Sequence, residues 1–212
     1  MKTKKWLIPS VILLIIAIAF GGFLVGKSIL ALKKSNKQAI TNPKNNGNKE
    51  LRVQDYFPSK TMTKQFSGGY ENQGFKHIID KIYEDKFQVK QVDSGTGVIF
   101  IYQVSDNDIR LIYSHEVSDG KFQENYIGTV QPNSDKIILK APLEVGTKWT
   151  DDADGKYEIT GINVGVKTPA GRFVAVEVTF LRGDFKTKSY YVKGLGLVKS
   201  SGYSEDVLVK IE

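Results

Sequence analysis

The chain contains no cysteine in 212 residues. That absence excludes disulfides, a zinc–thiolate centre, a thiolate nucleophile and a lipid-modified cysteine as anchor. It leaves the redox compartment open. Histidine is nearly as scarce, with only His77 and His115. There is no G-x-S-x-G nucleophile turn, no repeat of fixed period and no strongly amphipathic helical stretch. Acid is missing from the first 48 residues, which carry eight lysines: Lys2, Lys4, Lys5, Lys27, Lys33, Lys34, Lys37 and Lys44. The other 22 of the 30 Lys/Arg share residues 49–212 with all 23 Asp/Glu. The net charge of +7 therefore belongs to the N-terminal segment. Its lysines are sparse and lack interleaved aromatics, so nucleic acid is not an expected partner.

What the N-terminus does have is a long apolar run. Trp6 to Gly26 are 21 consecutive uncharged residues. As a helix they span about 30 Å, the thickness of a bilayer's hydrocarbon core. Pro9 falls in the first turn, where a missing N–H costs little. Lys4, Lys5 and Lys27 flank the run, and Trp6 suits the interface. Ala17-Ile18-Ala19 offers a signal-peptidase-like site, but the run continues past it through Val25, which favours an uncleaved anchor. Residues 1–32 are thus expected to be a cytoplasmic tip and transmembrane signal-anchor, with the bilayer as partner of residues 6–26. Lysines on the two sides of the span are balanced. The position of the span at the extreme N-terminus favours a single-pass protein with its C-terminal domain outside the cell.

Residues 33–54 read as an Asn- and Lys-rich linker. The stretch 33–50 holds five Asn, one Pro and one Gly and offers almost nothing to bury. Residues 55–212 then form one domain with enough chain for a real core. Their pattern is β. Thr96–Val104 is rich in β-branched and aromatic residues, Asp106-Asn107 marks a turn, and Ile109–Tyr113 resumes as a strand. Asp119-Gly120 precedes a further strand expected over Phe122–Ile127. Tyr157–Val166, Phe173–Leu181, Phe185–Val192 and Val207–Ile211 complete the set, with turns at Asp154-Gly155, Pro169–Gly171 and Arg182–Asp184. Regular turns and clean alternation predict a mainly β fold: one antiparallel curved sheet, half-barrel-like, with one buried face.

Three phrases in the C-terminal half are specific: Leu139–Trp149 (LKAPLEVGTKW), Thr168–Phe173 (TPAGRF) and Tyr190–Lys199 (YYVKGLGLVK). With Asp55-Tyr56-Phe57-Pro58 near the start, they resemble an uncharacterised domain of secreted, anchored and lipoprotein-type proteins of Firmicutes. The resemblance covers roughly residues 55–200. In outline such domains are similar to the curved-sheet folds of lipoprotein carriers. The resemblance implies an extracytoplasmic β domain and brings no catalytic residues with it. The chain departs from the pattern at Gly68–Phe75 and at Arg172. The phrases also have a plain physical reading. Pro142 and Gly146 shape a loop that places Trp149 over the end of the core, Pro169 and Gly171 make a tight turn, and Gly194 and Gly196 allow a bulge or close packing.

Candidate chemistry is thin. His77 and His115 fall on strands with polar neighbours and no evident nucleophile or acid, which makes them structural or solvated. Thr150–Gly155 resembles a calcium loop only in part, because the first position is Thr and the twelfth Gly161; a hairpin turn explains it better. Arg182-Gly183-Asp184 is the integrin tripeptide, but Gly-Asp equally suits a hairpin. The pairs Glu84/Asp85 and Glu205/Asp206 alternate faces on a strand and cannot share a cleft. No catalytic, cofactor-binding or metal-binding residue is expected. Ten Tyr and 11 Phe make a concave, aromatic-lined sheet able to hold an acyl chain or a peptide. The function class is a non-enzymatic, membrane-anchored binding module whose ligand is lipid, cell-wall polymer or protein. The alternatives are an envelope hydrolase and a cytoplasm-facing membrane-tethered regulator.

Overall fold

The computed structural model describes residues 51–212, apart from Tyr70, Asn72, Gly95, Tyr203 and the side chain of Asp119. The transmembrane span expected over residues 6–26 and the linker stretch 33–50 lie outside the described residues. Among the described residues no helix is long and apolar enough to cross a membrane.

Twelve strands follow one another: β1 (Met62–Ser67), β2 (Phe75–Tyr83), β3 (Lys86–Val92), β4 (Gly97–Val104), β5 (Asp108–Val117), β6 (Lys136–Lys140), β7 (Lys148–Thr150), β8 (Lys156–Thr168), β9 (Gly171–Arg182), β10 (Phe185–Val192), β11 (Gly196–Ser201) and β12 (Glu205–Ile211). All lie in a single sheet, ordered β6-β5-β4-β3-β2-β1-β12-β11-β10-β9-β8-β7, with neighbouring strands antiparallel. Consecutive strands from β1 to β5 and from β7 to β12 are joined as hairpins, β5 reaches β6 through residues 118–135, β6 leads on to β7 at the opposite edge, and the pairing of β1 with β12 joins the two ends of the folded chain. Short turns between alternating strands dictate that meander.

The sheet curls further than the half-barrel expected from sequence. Its edges, β6 and β7, share no ladder, yet Trp149 Nε1 on β7 donates to Ile137 O on β6 at 3.1 Å. The barrel is nearly closed. Strand twist accumulates over twelve strands. Bulges add to it in β1/β12, β2/β3, β4/β5, β5/β6, β10/β11 and twice in β8/β9. The double bulge of the β8–β9 hairpin, with Asn163 at φ 56°, brings its tip to β12, where Ala170 N–H donates to Leu208 O at 3.2 Å.

Three apolar clusters hold the curve. The largest joins Ile79, Val89, Leu139, Trp149, Ile159 and Val178 across the interior. One end of it is plugged by a 3-10 turn over Val53–Tyr56, with Val53 and Tyr56 almost fully buried. Leu51 and Val53, at the end of the stretch read as linker, therefore already pack on this core. A second cluster gathers Phe66, Ala175, Val198 and Leu208 beneath the bent hairpin.

The third cluster corrects an expectation. Phe122–Ile127 is not a strand. Residues 118–135 cross the outer face of β3–β5, and Tyr126 and Phe122 cover Ile99, Ile101 and Val117. Gln88, fully buried on β3, holds the crossing: its Oε1 accepts from Tyr126 N–H at 2.9 Å and its Nε2 donates to Glu124 O at 3.0 Å. Those backbone groups are satisfied by a side chain instead of a ladder. Asn133 does the same at the edge of β5, bonding both the N–H and the C=O of Ser114.

Candidate ligand cavity

Alternation along β4 sends Val98, Phe100 and Tyr102 inward and Ile99 and Ile101 outward. Register carries the inward face across the sheet. Tyr102 stands opposite Leu111, Leu111 opposite Lys136, and on another rung Val98 lies between Gln91 and Glu116, with Gln91 opposite His77. These residues line a cleft of about 310 Å³ that Leu197 of β11 and Asp206 of β12 face from the other half of the barrel. That volume is at the lower end of the roughly 300–1,000 Å³ of small-molecule sites.

The wall is mostly apolar and aromatic: Phe75, Phe100, Tyr102, Leu111, Ile138 and Leu197. Tyr102 stacks on Phe87, with ring centroids 4.9 Å apart and planes at 15°. Burial, together with the nearby Tyr191, holds its phenol well above the ordinary value, so it lines the cleft as a neutral hydroxyl. Two polar groups sit on the wall at one rung, where His77 Nε2 donates to Gln91 Oε1 at 2.9 Å. Burial, helped by the charge of Lys64, pushes the His77 imidazole down to about 3. It is neutral at any physiological pH, and its partner is an amide that carries no charge to activate it.

The ends of the cleft differ in charge. Lys136 lies at one end. Its ammonium sits over the Tyr157 ring at 5.9 Å and the Phe180 ring at 6.0 Å, and it makes no hydrogen bond or ion pair among the described residues. Burial pushes it below the ordinary lysine value, with Asp151 opposing that shift and Arg182 adding to it. Glu116 and Asp206 lie at the other end. Asp206 accepts from Gly69 N–H at 2.8 Å and from Ser200 Oγ at 3.0 Å. The Val98 and Tyr102 rungs are four residues apart on β4, about 13 Å.

A second buried lysine lies beside the cleft. Lys64 is 3 % exposed, and its Nζ donates to Leu195 O at 2.9 Å and Leu197 O at 2.8 Å. Burial pushes it down to about 7. Neutral, it has two N–H groups for those two carbonyls, so deprotonation leaves both hydrogen bonds intact.

Of the candidate chemical residues weighed from sequence, His77 and Asp206 point into the cleft. His115 borders the rim, but its register opposite Ile99 turns the ring outward, 6.4 Å from Tyr113. Thr150–Gly155 is the turn between β7 and β8. There the Asp151 carboxylate accepts from Gly155 N–H at 2.7 Å, Ala153 N–H at 3.1 Å, Tyr157 Oη at 3.0 Å and Arg182. Burial alone would raise Asp151, but those donors outweigh it and hold the carboxyl below its ordinary range. Arg182-Gly183-Asp184 is the β9–β10 turn, with Arg182 tied to Asp151 and lying over the Phe180 ring at 5.3 Å. Glu84 lies in the β2–β3 turn at φ 51°, and Asp85 accepts from Gln103. Glu205 pairs with Lys199 while Asp206 turns to the cleft, so that pair splits between faces as alternation requires. Sequence reasoning missed Lys64, Tyr102 and Lys136. The signal for Lys64 was present: it takes the middle inward position of the alternation Met62, Lys64, Phe66.

No family model matches the chain, and no curated protein is similar to it in sequence. Two solved structures share its outline. One is a Bacteroides fragilis protein assigned as exported, with a YmcC-like fold: 14 % identity, 76 % of this chain and 100 % of that chain covered, TM-score 0.47. The other is a Parabacteroides distasonis protein assigned as a lipoprotein: 11 % identity, the same coverages, TM-score 0.41. At these levels neither likeness bears on ligand or activity. The likeness read from residues 55–200 stays a resemblance, since no family model matches.

Proposed function

We propose that this is a membrane-anchored, extracytoplasmic binding module that holds the acyl chain of a lipid in the cleft between β2–β6 and β11–β12. The carrying observation is the cleft itself. Its volume is about 310 Å³, and Phe75, Phe100, Tyr102, Leu111, Ile138 and Leu197 give it a continuous apolar and aromatic wall between polar ends. Of the three ligand classes open from sequence, a lipid chain suits such a wall best. A sugar polymer needs a lining of convergent polar groups. The anchor and the outward orientation rest on the uncharged run Trp6–Gly26 and its place at the N-terminus. The reading is non-enzymatic, because the imidazole of His77, which points into the cleft, pairs with an amide and is held neutral, while the His115 ring turns outward at the rim.

The test uses the full chain in lipid nanodiscs with a fatty acid carrying a photoreactive diazirine on its chain. Peptide mapping after illumination is expected to place label on β4, β5 and β6. Label confined to residues 6–26 would overturn the binding reading. Protease digestion of intact and lysed cells tests orientation separately: cleavage of the domain in intact cells is expected, and protection until lysis would put it in the cytoplasm.

A further inference from the structure

The cleft is polarised, and its two ends are about 13 Å apart along β4. The Lys136 end holds a cation that neither a carboxylate nor a backbone carbonyl contacts among the described residues. Asp151, the acid that acts on it electrostatically, is already engaged by Arg182, Tyr157 and two backbone N–H groups. Lys64 is different, since two carbonyls take its hydrogens. An ammonium withdrawn from water with only aromatic faces for company is costly to keep. An anion brought to it by a ligand would make a charge-assisted hydrogen bond in a poorly hydrated site. The other end carries Glu116 and Asp206 and repels a second anionic group.

Resting on the binding reading above, we propose that the ligand is an amphiphile with a single anionic head group. The head seats against Lys136, and the chain runs along Leu111, Tyr102 and Phe100. The carboxylate or phosphate of the ligand supplies the counter-charge the fold leaves out. Nothing covalent is involved.

Decanoate and decanol are the probes, titrated calorimetrically into the full chain in lipid nanodiscs with empty nanodiscs as blank. They share a chain and differ in head charge. Decanoate is expected to bind about tenfold more tightly than decanol or better, as a charge-assisted contact requires. That ratio is expected to fall to near one in Lys136→Met and to survive in Lys136→Arg. Lys136→Gln serves should Lys136→Met not fold. Equal affinities in the wild-type chain, or a preference that persists without the charge, would overturn this inference and leave the binding reading standing. Failure of both probes to bind would overturn the binding reading itself, and this one with it.

Discussion

Lys64 and His77 are direct cross-strand partners on β1 and β2, both turned into the barrel, and among the described residues their side chains hydrogen-bond to neutral groups alone. Two bases on neighbouring strands are thus kept where their charged forms are disfavoured. The first consequence is a stability that depends on pH in two separate windows. Lys64 falls from an ordinary 10.5 to about 7 in the folded chain. Between those values the unfolded state binds more protons, so stability rises with pH, by at most about 1.4 kcal/mol per unit for one group. His77 falls from 6.5 to about 3, so acidification through that window destabilises the fold. Denaturant unfolding at a series of pH values checks both. Lys64→Met is expected to flatten the alkaline window and to narrow the acidic one only in part, because burial, the larger cause of the His77 shift, stays. An unchanged alkaline slope in that variant would show that Lys64 is not its source.

Gly68 precedes Gly69 of the cleft wall and packs against β12, and its backbone has no room for a side chain. It has φ 97°, and a Cβ there would lie 2.3 Å from Glu205 O and 2.6 Å from the Asp206 carboxylate. Gly68→Ala is expected to cost about 1–3 kcal/mol through strain and displacement of β12. In a domain of this size that lowers Tm by roughly 2–4 °C per kcal/mol. Calorimetry of the purified chain would read it. A variant as stable as wild type would show that the turn relaxes freely.

Among the described residues the seam between β6 and β7 is held by one side-chain hydrogen bond together with the packing of Trp149 in the core that Ile137 and Leu139 share. Trp149→Phe keeps an aromatic ring against Tyr157, whose centroid lies 5.3 Å away in a stack, and removes the donor to Ile137 O. The expected loss is about 1 kcal/mol. Hydrogen exchange is the sharper readout: amides of residues 136–140 should exchange faster in the variant while those of β3 and β4 do not change. Uniform protection would mean that the barrel closes without this bond.

Much of the fold was legible because alternation and turn chemistry are local. Phe173–Leu181 alternates and is a strand. Asp154-Gly155, Pro169–Gly171 and Arg182–Asp184 are turns, and the loop after Pro142 does deliver Trp149 to the core. Closure was not legible, since curvature comes from bulges such as that between Ile159 and Val164, which depend on pairing partners. The cleft was half legible. Aromatic strands announced a lined face, but which lysine has no counter-ion follows only from the three-dimensional placement of Asp151 beside Arg182. Phe122–Ile127 misled because an apolar, aromatic run that covers a sheet face resembles one that joins the sheet.

That covering run yields the last prediction. Gln88 is fully buried between β3 and the 118–135 crossing, and three hydrogen bonds meet on its amide: to Tyr126 N–H, to Glu124 O and to Asp80 Oδ1 at 2.8 Å. Leucine has nearly the same volume and keeps the packing, but it strands Tyr126 N–H without a partner and leaves Glu124 O only the long contact from Lys90 Nζ at 3.5 Å. Each unsatisfied buried group costs about 1–3 kcal/mol. The crossing can avoid that cost by lifting off the sheet into water, at the expense of exposing Ile99 and Ile101. Gln88→Leu is therefore expected to open residues 118–135 locally before the barrel unfolds. Limited proteolysis should cut there first, while Gln88→Glu, which keeps the acceptor for Tyr126 N–H, should be cut more slowly. Equal rates for the two variants would mean that the apolar contacts of Tyr126 and Phe122 hold the crossing without the amide.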